Sequence, residues 1–263
     1  MAAADPSTRH GARMNAAFAR VREPVLWFAG LLLLWELVVR VFALPTFVLP
    51  APSNFLMRVV NEYPRFVTHG LITTRLIIYG FVAGAVPGLI LAYLIANSRR
   101  CEMLLYPLVV FIQGLPKITL APMMLVWFGY ADFPKILLTA LITFFPVLVD
   151  GVAGFKAADR RLFYLSRSMN ASWWQTFRYI ELPAAAPAIF SGFKTTIVIA
   201  VTVVIVVEWM NSNNGLGYIV LRAMDNKDTP LIFATLVVAS AIGVALSYAM
   251  ASIEKLLLPW RRK

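Results

Sequence analysis

The chain has 263 residues, 60% of them hydrophobic, and a mean hydropathy of +0.75, which is more apolar than a water-soluble domain can cover with polar surface. Its net charge of +11 is scattered along the chain rather than gathered on one face or tail, so it does not mark a nucleic-acid partner. The single cysteine, Cys101, excludes an internal disulfide and a cysteine-based metal cluster, and no metal or redox centre is indicated.

In chain order, residues 1–24 read as a cytosolic N-terminal tail carrying Arg9, Arg13, Arg20 and Arg22. The apolar run behind it is longer than the core of a signal peptide and reads as a retained first span. Six runs are long enough to cross a hydrocarbon core of ~30 Å as helices: 25–43, 71–96, 104–127, 135–153, 187–210 and 231–252. No alternating strand pattern of the barrel type occurs, so the expectation is an all-α integral membrane protein. Residues 25–263 then form a single transmembrane domain. Lys and Arg are concentrated in the tail, at Arg99 and Arg100, in the segment after span 4 and at the C-terminus. By the positive-inside rule this puts both termini in the cytosol.

Within the spans, Gly80, Gly84 and Gly88 recur every four residues and leave one stripe of span 2 bare for a close helix neighbour. Pro87 and Pro116 lie inside apolar runs and are expected to kink or interrupt their helices. Glu36 and Arg40 are spaced to pair on span 1. Lys194 is expected to snorkel to the cytosolic surface, and Asp150 to cap or pair near the cytosolic end of span 4.

Between spans 4 and 5, residues 154–186 are too polar and too interrupted to span. Asp159 is a candidate N-cap for a helix with Leu162, Phe163, Ser166 and Met169 on one stripe. Asn170 suits the left-handed position that ends a helix. Ser172 and Gln175 have the spacing of a capping box, opening a second helix through Trp173, Trp174, Phe177 and Ile180 that Pro183 and Pro187 are expected to stop. Such an amphipathic pair could lie in the lipid interface, act as a packing strut, or dock into a groove on a soluble partner. The residue pattern leaves these three open.

Asn170, nine further residues and then Ile180-Glu181-Leu182-Pro183 resemble the EAA loop in permease subunits of bacterial ABC importers. The stretches LPAPS at 49–53, LPKITLAPMMLVWFG at 115–129, FFP at 144–146 and EWMNSNNGLGY at 208–218 are similar to the branch handling nitrate, sulfonates, taurine, bicarbonate and pyrimidine precursors. Tyr164-Leu165-Ser166 stands where the family has E-A-A, and Asn170 where it has glycine.

The resemblance implies a homodimer of membrane subunits in the bacterial cytoplasmic (inner) membrane, with two cytosolic ABC ATPase subunits and a periplasmic or extracellular solute-binding protein. The pair of short helices becomes a coupling helix between spans 4 and 5, with Met169, Asn170, Ala171, Ser172, Trp173, Trp174 and Phe177 as the ATPase contact. No G-x-x-x-x-G-K-[ST] loop is present, so ATP and magnesium are expected in the partner ATPases and no cofactor in this chain.

Gln113 and Lys117, flanking Gly114 and Pro116, are candidate pathway residues where a broken helix could line a cavity, and Lys117 could attract an anion. The alternative for Lys117 is an interfacial or partner-paired lysine. Glu208 resembles a family position near the pathway, and equally suits a hydrogen bond to the Asn-rich turn that follows. The outer segments 50–65 and 211–228 are the expected docking surface for the binding protein. A secondary transporter driven by an ion gradient is the competing reading. It calls for buried acidic sites and inverted repeats, and no clear repeat is seen. A membrane enzyme is disfavoured by the lack of any nucleophile constellation around the two histidines, His10 and His69.

Overall fold

The computed structural model describes residues 6–259, with side chains from residue 22 onward except that of residue 211. The tail arginines Arg9, Arg13 and Arg20, and Arg261, Arg262 and Lys263, lie outside the described side chains. Within these bounds the described residues form helices and turns. They are α1 (Pro6–Val41), α2 (Pro52–Asn61), α3 (Tyr63–Asn97), α4 (Arg99–Gln113), α5 (Ala121–Phe128), α6 (Asp132–Lys156), α7 (Arg160–Ser168), α8 (Trp173–Thr176), α9 (Leu182–Asn211), α10 (Leu216–Asp225) and α11 (Thr229–Leu257). Five helices are individually long and apolar enough to cross a membrane, and a sixth span results if the bent pair α4–α5 counts as one.

The core is α3, α6 and α9. Gly80, Gly84 and Gly88 of α3 face Thr139, Thr143 with the Ala140 carbonyl, and the Phe144 carbonyl of α6, so the bare stripe serves close helix packing. Gly154 and Gly192 do the same where α6 crosses α9, against Ala185, Ala188 and Asp150. Asp150 thus sits on the α6–α9 crossing rather than at the end of α6, and among the described residues it has no hydrogen-bond or ion-pair partner. Leu76, Ile77, Phe81, Val147, Ile197 and Val204 fill the space between the three helices.

These contacts fix direction. Helices α3 and α6 run parallel, α9 returns against them, α11 runs in their direction again, and α7–α8 lie at the end opposite α2 and α10. We call these the knob end and the cap end. α1 reaches the cap end, where Glu36 accepts from Arg40 at 2.6 Å, as its spacing suggested, and also from the Ser53 amide and hydroxyl at 3.0 and 2.8 Å. Glu36 therefore also ties the first turn of α2 to α1, with Pro52 at the head of α2.

The two prolines behave differently. α3 runs through Pro87 without interruption. At Pro116 the third span breaks: α4 ends at Gln113, one 3-10 turn covers Lys117–Leu120, and α5 departs at 74°. The Lys194 ammonium donates to Glu254 of α11 at 2.8 Å, so its charge is paired with that of a neighbouring helix.

Candidate functional site

Three polar or aromatic assemblies stand out against this apolar frame. The first is the knob. Asp159 caps α7 by accepting from the Arg161 amide at 2.9 Å. α7 ends in a Schellman turn with asparagine in the glycine position: Asn170 has φ +52°, its amide donates to the Arg167 carbonyl at 3.1 Å, and the Ala171 amide donates to Ser166 at 2.9 Å. The next helix starts at once with a complete capping box, Gln175 N–H to Ser172 Oγ at 3.3 Å and Ser172 N–H to Gln175 Oε1 at 2.7 Å. Both helix ends in the tight turn 169–172 are thus closed by their own residues, which makes the tip stiff without outside help.

Pro183 and Pro187 do not stop the second helix. A π-turn, Phe177–Glu181, joins α8 to α9, with the Leu182 amide donating to the Phe177 carbonyl, and the helical path continues from Trp173 to Met210. The wider i→i+5 turn falls just before Pro183, which takes a first-turn position of α9, and α9 runs on through Pro187 as α3 does through Pro87. The knob is therefore the first part of the same rod that crosses the membrane as span 5.

An aromatic base anchors it. Trp173 stacks on Phe177 at 6.0 Å and 13°, Tyr93 of α3 meets Phe177 and Phe155 of α6 edge-on at 5.2 and 5.3 Å, and Trp173 Nε1 donates to the Tyr93 hydroxyl at 2.8 Å. Buried Glu181 accepts from Asn97 at 3.4 Å beside this base. On the free side Met169 is 71% exposed, Trp173 65% and Trp174 57%, and a groove of about 280 Å³ runs between the two short helices, lined by Leu162, Leu165, Met169, Ala171, Tyr179 and Ile180. This apolar surface is left uncovered, and Arg160, Arg161, Arg167 and Arg178 of the same segment are exposed. Tyr93, Phe155 and Glu181 are contributors that sequence reading missed.

The second assembly is the break in the third span. Lys117 Nζ donates to the Gln113 carbonyl at 2.8 Å and lies 4.6 Å from the centre of the Phe145 ring. A cation suits both partners, since the carbonyl ends α4 and the ring face is electron-rich. The Gln113 side chain is exposed beside it. The structure brings Gln113 and Lys117 together; it does not bring Glu208 to them.

Glu208 belongs to the third assembly, at the cap end. It is fully buried, and its two carboxylate oxygens accept from the Thr73 hydroxyl at 2.9 Å each and from the Gly217 amide at 3.0 Å. The Leu216 amide donates to the same Thr73 hydroxyl at 2.9 Å, and the Gly215 amide to His69 Nδ1 at 3.0 Å. The first amides of α10 thus point at a carboxylate and its satellites, the arrangement a helix N-terminus favours. Gly215, at φ +95°, can take no side chain, because a Cβ there would lie on the Glu208 carboxylate. Alongside, Lys135 of α6 is 2% exposed and donates to Ser212 at 3.1 Å and Asp132 at 3.2 Å, while Arg75 of α3 holds Asp132 at 2.6 Å. Sequence reading did not single out Lys135; the Asp132-x-x-Lys135 spacing was the available hint of its pairing.

Residues 84–263 match the model of the family described as the binding-protein-dependent transport system inner membrane component. The chain belongs to this family. It is 35% identical over 242 residues to the formylaminopyrimidine transport permease ThiX of Halalkalibacterium halodurans, covering 92% of this chain and 96% of that one. It is 33% identical over 232 residues to the riboflavin transport permease RibX of Chloroflexus aurantiacus, covering 88% and 87%, and 30% identical over 247 residues to a putative aliphatic sulfonates permease, SsuC, of Bacillus subtilis, covering 89% and 88%. Among solved structures it superposes on an inward-facing MetNI methionine ABC transporter chain with TM-score 0.61 at 18% identity, over 74% of this chain and 97% of that one. The permease is a multi-pass membrane subunit of an ATP-driven ABC importer, and nothing in the comparisons supports a secondary transporter.

Proposed function

We propose that the knob, with Met169, Asn170, Ala171, Ser172, Trp173, Trp174 and Phe177, is the coupling element that seats in a cleft of a cytosolic ABC ATPase. ATP and magnesium are bound there and none by this chain. The observation that carries the reading is the self-capped, outward-facing aromatic tip on a helix that continues as a membrane span. The knob end, and with it both termini and the tail 1–24, then faces the cytosol, in agreement with the placement of Lys and Arg. Residues 25–263 act as one permease domain in the inner membrane. Two copies form the pathway as a homodimer, and a solute-binding protein delivers cargo to the cap end, around α2 and α10.

The cargo is a small polar or anionic solute. The relatives' named substrates, a formylaminopyrimidine, riboflavin and aliphatic sulfonates, are polar organic molecules and support that class. Gln113 and Lys117 line the pathway at the helix break, where Lys117 offers positive charge; Glu208 frames the mouth instead of touching solute. Co-purification tests the assembly: tagged permease extracted in mild detergent should retain a soluble ATPase subunit. Permease recovered alone from cells that also express the ATPase would contradict the reading.

A further inference from the structure

The cap end holds a polar network that transport through the membrane centre does not by itself require. Four elements meet in it: α3 through His69 and Thr73, α6 through Asp132 and Lys135, α9 through Glu208, and the loop into α10 through Ser212, Gly215, Leu216 and Gly217. Its centre is one hydroxyl: Thr73 Oγ1 donates to Glu208 and accepts from the Leu216 amide, so a single atom joins three of the four elements. Burial makes this arrangement all-or-none, since a charged group with no water to replace a lost partner leaves its neighbours unsatisfied as well.

The placement of Glu208 gives the network a second property. Glu208 is at one end of the helical path that begins at Trp173, a rod of 38 residues from Trp173 to Met210 and so roughly 57 Å long. At its other end are the knob residues Trp173 and Phe177, anchored to Tyr93. Tyr93 and Thr73 are both on α3, so the rod is fastened to one neighbouring helix at each end. The cap helix α10 is in turn clamped to that rod by an amide on a carboxylate, with no room at Gly215 or Gly217 for the loop to shift inward.

We propose that Thr73 and Glu208 are positioning residues which lock α10 to the α9 rod, so that docking of the binding protein on the cap end is passed mechanically to the coupling knob. This rests on the proposed seating of the knob in the ATPase. With the lock closed, α10 cannot tilt without turning or sliding α9; with it open, α10 moves by itself and the knob receives no displacement.

The test uses the complete transporter, permease with its ATPase in lipid nanodiscs, and as probe the purified solute-binding protein of the same system. Thr73→Val removes the shared hydroxyl with little change of shape, and Thr73→Ser restores it. The expected result for Thr73→Val is unchanged basal ATPase activity, a binding-protein stimulation reduced at least about fivefold, and exchange of the Gly215–Gly217 amides at least about tenfold faster than wild type, with both returning in Thr73→Ser. If Thr73→Val does not assemble, the isosteric Glu208→Gln carries the same comparison of stimulation and exchange. Faster exchange with undiminished stimulation would overturn the proposal, because the lock would then be structural only; unchanged exchange would overturn it too, because no lock would exist. Ala171→Glu is run in parallel: full stimulation in that variant would refute the knob reading itself, separately from the lock.

Discussion

Replacing Ala171 by glutamate is expected to abolish ATP-driven uptake and the ATPase's response to the binding protein, while the permease still inserts and folds. Ala171 lies in the turn at the tip, its amide already committed to Ser166 and its methyl group lining the groove between the two short helices. Its backbone conformation is not left-handed, so glutamate fits the turn without strain. The damage falls on docking. A carboxylate added among Leu162, Met169 and Tyr179 must be stripped of water when an ATPase surface closes over it, and an unpaired charge in such a place costs several kcal/mol. A loss of about 4 kcal/mol is roughly a thousandfold in affinity. Uptake and ATPase assays in proteoliposomes measure the effect, with the detergent melting temperature as the folding control. Normal uptake by the variant would show that the tip is not the point of contact.

The second large effect is expected at the cap end. Gly217→Ala should destabilise the permease by about 3 kcal/mol, because a Cβ at that position would fall on the Ile205 carbonyl, the Glu208 Cβ and the Trp209 amide. Two of these are backbone atoms of α9, which no rotamer change can move. Relief requires α10 to back away, which also lengthens the hydrogen bond from the Gly217 amide to Glu208. Gly30→Ala is the matched control, since a Cβ there meets nothing within 4 Å. A clear drop in melting temperature for the first variant and none for the second is the expected pattern, read by thermal unfolding in detergent. Equal melting temperatures would mean that α10 does not press on α9 in this way.

Comparison of these sites shows which features local sequence can carry. The six spans, the Asp159 cap, the Asn170 turn and the Ser172–Gln175 box all depend on residues within a few positions of each other, so spacing reveals them. The knob's anchor depends on Trp173 meeting Tyr93 from 80 residues away, and the cap lock on Glu208 meeting Thr73 from 135 away. No periodicity reports such meetings. Tyr93 shows its role only when Phe155 and the knob aromatics pack against it, and Lys135 only when Ser212 comes to it from the end of α9. Pro183 misled for a different reason: proline usually breaks a helix interior, but here the chain switches to a π-turn just before it and Pro183 takes a first-turn position of α9. The helix changes pitch there and continues, so that coupling knob and membrane span are one element instead of two.

The central claim is that the 169–177 tip touches the ATPase, and photo-crosslinking in whole cells tests it most directly. A benzophenone amino acid at Met169, 71% exposed at the tip, is compared with one at Val60, 70% exposed on α2 at the opposite end. The account predicts that the probe at Met169 captures the ATPase subunit and the probe at Val60 does not. Capture of the ATPase from Val60, or only lipid from Met169, would contradict it.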